Sequence, residues 1–296
     1  VAVAFSAGAD STALLLAARA HWPARVVALH VNHGLQSAAG AFEAAARASC
    51  LSLGIALVVR RVDAAHAAGQ SPEDAARQAR YRALAAMAHE LCAPGVLLGH
   101  HADDQAETLL LALSRGAGLP GLAAMGEAFE RHGARFGRPL LEVPAAALRG
   151  WLRAARHTFV EDPSNADGRY TRNRIRSLLT PAWAKAFPGY LPMLARSARH
   201  AAQAQTLLDE LADLDLLQTG EPPAIGALQA LSVARQGNAL RRWLRRSAQV
   251  APSDAQLAEL LAQIADCRTR SHRIELRVAD GTVSRQGERL RYTPPI

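Results

Sequence analysis

The chain has 296 residues, of which 50% are hydrophobic and 20% charged, with a formal net charge of +8 at pH 7. This composition excludes a disordered chain and leaves room for two domains, the first large enough to bury a full core. Apolar runs are short or interrupted and no basic segment leads into one, so neither a membrane span nor an export signal is expected.

Val1 to Ser11, VAVAFSAGADS, runs from an apolar strand into a loop of small residues, and Thr12 to Ala20 follows with helical character. Such a loop places backbone N–H groups at a positive helix end and so suits an anion, phosphate above all. It is not a Walker loop, because G-x-x-x-x-G-K-[ST] is absent and the only lysine is Lys185. The Ser6 and Ser11 hydroxyls, backbone amides and a metal positioned by Asp10 would then hold the phosphates. The plain alternative is an ordinary strand-to-helix turn.

Val26 to Val31 reads as a buried strand, Ala38 to Leu53 as a helix and Ile55 to Val62 as the next strand. Ser71 and Pro72 have the chemistry of a helix start, with the helix reaching Leu91. Gly95 to Gly99 is a short strand ending at His100, and Asp103 to Ser114 is helical. The alternation predicts an α/β fold, a Rossmann-like and mostly parallel sheet covered on both faces. Ligands bind such sheets beyond the carboxyl ends of the strands, where Ser6–Ser11, Asn32–Gly34 and His100–Glu107 converge. From Leu191 the pattern turns helical, and Ile274 to Tyr292, with Asp280-Gly281, reads as a terminal β-hairpin. We therefore expect a domain over 1–185 and a smaller, mainly helical one over 186–296.

In GHHADDQAETLLLALSRGAGLPGL, from Gly99, a helical projection puts Asp104, Glu107, Thr108 and Arg115 on one face. Ala106, Leu109, Leu110 and Leu113 take the other, and Asp103 on the flank suits a cap. Two carboxylates one turn apart call for a cation between them, either a divalent metal or an ammonium group. Zinc is rejected on ligand spacing, and a solvated acidic helix start is the bland alternative. In EDPSNADGRYTRNRIR, from Glu161, Asp162 to Asn165 is turn chemistry, and Arg169, Arg172, Arg174 and Arg176 follow within eight positions. If that helix forms, Ile175, Leu178 and Leu179 are its buried stripe.

Charge is uneven along the chain. Residues 131–199 carry a net +9, 200–234 a net −5, and 235–250 a net +5 from Arg235, Arg241, Arg242, Arg245 and Arg246. Basic blocks beside a near-neutral first half suggest a docked polyanion. The cysteines, Cys50, Cys92 and Cys267, are too few and scattered for a disulfide frame, so a reducing cytoplasm is expected.

SAGADS, VNHGL, ARQARY, GHHADDQAETLLLALSRGAGLPGL and EDPSNADGRYTRNRIR, in this order and spacing, resemble bacterial tRNA(Ile)-lysidine synthetase, a PP-loop ATP pyrophosphatase family. The resemblance is strong over residues 1 to about 180; LSVARQGNALRRWLR, from Leu231, is similar to the family's tRNA-recognition domain more loosely. One departure stands out: Ala7 occupies the first glycine position of the family's Ser-Gly-Gly-x-Asp-Ser loop, tolerable if φ is negative there. The family's loop implies that Ser6, Ala7, Gly8, Ala9, Asp10 and Ser11, with Asn32 and His33, bind ATP and Mg²⁺. It further implies catalytic roles for Asp10, Arg80, His100, Asp104 and Glu107, with free L-lysine held by Asp104 and Glu107. Arg172, Arg174, Arg176, Arg241, Arg242 and Arg245 would grip tRNA(Ile) bearing a CAU anticodon. Alternatives are a tRNA thiolase of the same superfamily, for which the cysteines are poorly placed, and a non-catalytic RNA-binding relative. Strand residues at position 1 without an initiator Met suggest a trimmed N-terminus, longer relatives carry a further C-terminal domain, and a homodimer is compatible with the sequence.

Overall fold

The computed structural model describes residues 1–32, 39–62, 72–161, 168–169, 171–269 and 272–295. It divides into two compact units, Val1–Ala201 and Ala202–Ile296. No helix among the described residues is long and apolar enough to cross a membrane.

In the first unit, β1 (Ala2–Ala4), α1 (Ala9–His21), β2 (Val27–Asn32), α2 (Ala39–Leu53), β3 (Ala56–Arg61), α3 (Pro72–Glu90), β4 (Val96–Leu97) and α4 (Ala102–Ser114) alternate as expected. The six-stranded sheet has the order β3-β2-β1-β4-β6-β5, parallel except for the edge pair of β5 (Ala128–Arg131) with β6 (Ala134–Gly137). β1 is short but central, and its alternation serves both faces. Ala2 packs with Tyr81, Leu84 and Met87 of α3, while Val3 packs with Leu14 and Leu15 of α1 and Ala46 of α2. Of the strand's three residues, only Val3 is large enough for burial to contribute about 1.5–3 kcal/mol, and β1 is also held by its pairing to β2 on one side and β4 on the other.

The β5–β6 hairpin was not anticipated. Its strands are four residues each, and its turn is His132-Gly133, both at positive φ (50° and 74°), the geometry of a two-residue type I′ connection. A short helix, α5 (Leu119–Leu122), precedes it, and α6 (Ala145–Ala154) follows, burying Leu148 and Leu152 against Ala9, Ala13 and Leu16 of α1. Then come α7 (Thr171–Arg174), a π-helical turn over Ile175–Leu179, and α8 (Thr180–Ala186). Here the expected stripe is only partly realised: Ile175 is buried, whereas Leu178 and Leu179 are exposed. The wider π turn advances each residue by less than an α-helix does, rotating those two leucines off the stripe.

The second unit follows the division within α9 (Tyr190–Thr219). It comprises α10 (Ile225–Gln229), α11 (Val233–Ala248), α12 (Asp254–Asp266) and an antiparallel sheet of β7 (Glu275–Val278), β8 (Gly281–Gln286) and β9 (Arg289–Thr293). Leu240, Trp243 and Leu244 of α11 meet Leu257, Leu260 and Ile264 of α12 in its core. The single expected hairpin is two, because Gly287 supplies a second turn at φ 63°.

Candidate active site at the strand ends

Where β1 ends, residues 6–11 form the loop. α1 starts at Ala9 with Gly8 as its N-cap, and no side chain caps it, so its first-turn N–H groups are available to an anion. The Ser6 and Ser11 hydroxyl oxygens are 3.1 Å apart, Ser11 Oγ donates to the Gly8 carbonyl at 3.0 Å, and the Ser6 N–H donates to Ser11 Oγ at 3.2 Å. The Val160 N–H donates to the Ala7 carbonyl at 2.9 Å and pins the loop from behind. Ala7 itself has φ 64°, so the negative φ that its methyl group called for is not found. Left-handed backbone costs an L-residue roughly 1–2 kcal/mol, partly offset because glycine is more disordered when unfolded. We expect Ala7→Gly to leave the melting temperature within a few degrees and ATP-dependent pyrophosphate release equal or higher. A several-fold loss of release with an unchanged melt would mean that the methyl group is a local adaptation.

β4 ends beside this loop. A Cβ on Gly99 would lie 3.1 Å from the Asp10 carbonyl carbon, so the missing side chain permits the approach. His101, next in the chain but one, is the N-cap of α4. Its Nδ1 accepts from the Asp104 N–H at 3.4 Å, and its own N–H donates to Asp104 Oδ2 at 3.1 Å. The cap is therefore a His101–Asp104 box, and Asp103 is used differently, accepting from the Ala145 N–H at the start of α6 at 2.8 Å. The other ring nitrogen of His101, Nε2, lies 3.5 Å from Asp10 Oδ2 and 3.4 Å from Asp104 Oδ2. One buried imidazole thus links the loop to the α4 carboxylate. Burial pushes His101 down, but the Asp10 hydrogen bond and the charges of Asp104, Asp10 and Asp103 outweigh it and raise its pKa. The reverse holds for Asp10, where burial is outweighed by His101 and Arg149 and the pKa falls.

One turn on, Glu107 is buried at 2% exposure and takes a fork from Arg176, Nε to Oε1 at 2.7 Å and Nη2 to Oε2 at 3.0 Å. The same guanidinium lies 3.8 Å from Asp104. Burial raises the Glu107 pKa against the pull of Arg176. Arg176, expected on a tRNA surface, is placed by the fold among the site's carboxylates. Ala106, Leu109 and Leu110 are buried as expected, whereas Leu113 in the last turn is 52% exposed.

His100 faces a different field. Burial and then the charges of Arg138, Arg80, Arg77 and Arg172 push its pKa down to about 3, so it is neutral at ordinary pH. Arg77, Arg80 and Arg131 also gather 4.8–6.0 Å from the Tyr81 ring. The strand ends therefore present two fields: carboxylates at Asp10, Asp104 and Glu107, and arginines around His100. Asn32 lies at the carboxyl end of β2, while His33, Ser71 and the turn at 162–165 fall outside the described residues. Among the described residues, no group of three or more His, Cys, Asp or Glu side chains is arranged to hold a metal ion.

Residues 1–183 match the PP-loop domain and residues 224–291 the TilS substrate binding domain. Over 291 residues the chain is 58% identical to the tRNA(Ile)-lysidine synthase of Polaromonas naphthalenivorans, spanning 98% of this chain and 88% of that protein. The chain belongs to the tRNA(Ile)-lysidine synthase family. Its likeness to the Ralstonia nicotianae tRNA(Ile)-lysidine synthase, 47% over 90% of this chain, spans 59% of that protein's length. A solved U34-tRNA thiolase, NcsA of Methanococcus maripaludis with its [4Fe-4S] cluster, shares the fold at TM-score 0.58 and 18% identity, over 67% of this chain and 71% of that one. Membership of this family makes the chain an ATP-dependent ligase, and the PP-loop domain is the part that uses ATP.

For a lysidine synthase family member, the basic residues divide unexpectedly. Arg174 is exposed, with Thr171 as its partner at 3.1 Å, and Arg172 reaches Thr108 at 3.5 Å. In the second unit the −5 and +5 blocks meet each other. Arg242 forks onto Asp213 at 2.7 and 2.8 Å and reaches Asp209 at 2.9 Å; Arg245 faces Asp209, Arg246 pairs with Asp213, and Arg235 pairs with the fully buried Asp215. Arg241 pairs with Asp254 of α12. Clustered sequence charge here measures pairing between α9 and α11 as much as a free surface. We expect Arg242→Ala to destabilise the protein by about 1–2 kcal/mol in urea melts, given its half-buried fork. An unchanged midpoint would show these pairs to be spectators. The cysteines give no sulfur-handling arrangement: Cys50 is buried with its thiol pushed up to about 11, and Cys267 is buried in the second unit.

Proposed function

We propose that the chain joins free L-lysine to C2 of the wobble cytidine in the CAU anticodon of tRNA(Ile), in the cytoplasm, through two chemical steps at the strand ends. In the first, the cytidine O2 attacks the α-phosphate of ATP; the bond to the β-phosphate breaks and pyrophosphate leaves. In the second, an amine of lysine adds at C2, AMP leaves with the O2 oxygen, and the amine proton is lost to solvent or a base.

What supports this reading above all is His101, which ties Asp10 of the loop to Asp104 of α4 and so gathers the carboxylates, with the arginines around His100 at the same strand end. The uncapped amides of α1 and the Ser6 and Ser11 hydroxyls suit the nucleotide's phosphates. Arg80, with Arg77, Arg138 and Arg172 about a neutral His100, suits the remaining phosphate charge. Asp104 and Glu107 suit the lysine ammonium group, which shares or displaces the Arg176 contact. Asp10 Oδ1 is buried without a hydrogen-bond partner among the described residues, so it fits as a protein ligand to a phosphate-bound Mg²⁺. Such an ion would neutralise charge developing on the leaving pyrophosphate. The base must leave its stack to be reached, which a single-stranded anticodon loop makes inexpensive.

Arg174→Ala tests the RNA side. Single-stranded contacts contribute about −0.7 each to the slope of log affinity against log salt. The variant is expected to bind tRNA more weakly and with a slope shallower by about one contact, leaving ATP binding measured without tRNA unchanged. A wild-type slope would place Arg174 outside the RNA surface.

A further inference from the structure

We infer that Glu43, which lies outside every motif read from the sequence, is a positioning residue for the nucleotide site that fixes the orientation of the Asn32 amide. This rests on the proposed function and on the assignment of Asn32 to its ATP site that the family resemblance implies.

Asn32 is the last residue of β2, paired in register with Arg61 at the end of β3, and its carbonyl accepts from the Val62 N–H at 2.9 Å. Two residues back, the His30 ring nitrogen Nδ1 lies 2.8 Å from the Phe5 carbonyl, one residue before the phosphate loop. Asn32 thus stands at the strand end next to that loop. Its Nδ2 donates to Glu43 Oε2 at 3.0 Å. Glu43, on α2, is only 8% exposed, and both its oxygens are engaged. Oε1 takes Nε and Nη2 of Arg47 at 3.1 and 2.9 Å, and Oε2 also faces Arg61 at 3.4 Å.

The chemistry of this contact is directional. An ionised carboxylate only accepts, so it holds the NH₂ side of the amide and repels the oxygen side. The hydrogen bond from Asn32, the Arg47 fork and the charge of Arg61 keep Glu43 ionised, with its pKa down at about 2. Flipping the Asn32 amide would set its oxygen against that carboxylate. Glu43 therefore presents the Asn32 oxygen away from α2 in a single orientation. Glutamine at position 43 would fill the same space, but its amide can turn to match either orientation of Asn32 and so removes the part of the selection that Glu43 exerts.

The test is steady-state kinetics of lysine- and tRNA-dependent AMP release, with the KM for ATP as the readout. KM does not depend on the fraction of protein that is folded, so partial instability of a variant does not distort it. Glu43→Gln and Asn32→Ala are each expected to raise the KM for ATP about five- to tenfold, with kcat and the KM for lysine within twofold of the starting protein. Arg47→Ala keeps the Asn32–Glu43 bond while removing the fork, and is expected to leave the KM for ATP unchanged. If Asn32→Ala raises the KM and Glu43→Gln does not, the positioning role is overturned and the Asn32 assignment stands. If Asn32→Ala has no effect, the assignment fails and the inference falls with it. If Arg47→Ala raises the KM as much as Glu43→Gln, the cluster acts through general stability of α2, and the specific role of Glu43 is overturned.

Discussion

Asp10→Ala is expected to lower ATP-dependent pyrophosphate release by roughly 10²–10³-fold or more, while tRNA affinity stays within about twofold. The carboxylate lies in the first turn of α1, where its Oδ2 faces the His101 ring and its Oδ1 is buried without a partner among the described residues. Truncation removes the acceptor that ties the loop to His101, and with it the oxygen proposed above as a ligand to a phosphate-bound cation. His101 would then answer only to Asp104 and Asp103, and its raised pKa would fall toward the ordinary value as one of its stabilising charges disappears. The arginines proposed to meet RNA are untouched, which is why binding and chemistry should separate. Pyrophosphate release at the starting rate would remove Asp10 from the mechanism.

Glu107→Gln is expected to raise the lysine requirement by about 10- to 100-fold with little change in the KM for ATP, and adenylated tRNA should accumulate at low lysine. The amide keeps the shape of the buried side chain but offers one acceptor where Arg176 now finds two, and no charge for an ammonium group. Stability should fall by less than a fully buried ion pair would imply, because Arg176 is 43% exposed and water screens it. An unchanged lysine requirement, measured by AMP release across a lysine titration, would show that this carboxylate serves a metal or only anchors Arg176.

The sheet was legible because its strands and helices alternate with clear periods, and because β1 is apolar on both faces. The β5–β6 hairpin was not, since AFER and ARFG are four-residue edge strands with no sustained alternation; the usable cue was His132-Gly133. Loop chemistry and helical spacing point to Asp10, Asp104 and Glu107, and the structure brings these carboxylates together through His101 and Arg176. His101 gives little sequence signal, because a capping box is ordinarily Ser or Thr followed three residues on by Glu or Gln, and the His101–Asp104 box departs from that pattern. Arg176 reads as surface from the sequence because it stands in an arginine run. Only the path of the chain after α6 brings it to Glu107, 69 positions away in sequence. The same limit applied to the charge blocks: counting along the chain cannot show that Arg242 and Asp213 neutralise each other across two helices. Glu43 carried only its i, i+4 spacing to Arg47, an ordinary helix pair, because its other partners Asn32 and Arg61 reach it from β2 and β3.

The most direct measurement is AMP release by the purified chain with ATP, tRNA(Ile) bearing the CAU anticodon, and lysine, each omitted in turn. The reading predicts that pyrophosphate appears only with ATP and tRNA together, that AMP release requires lysine in addition, and that lysine is recovered attached to the wobble cytidine. Lysine-independent AMP release, or no release although tRNA and ATP are both bound, would contradict it.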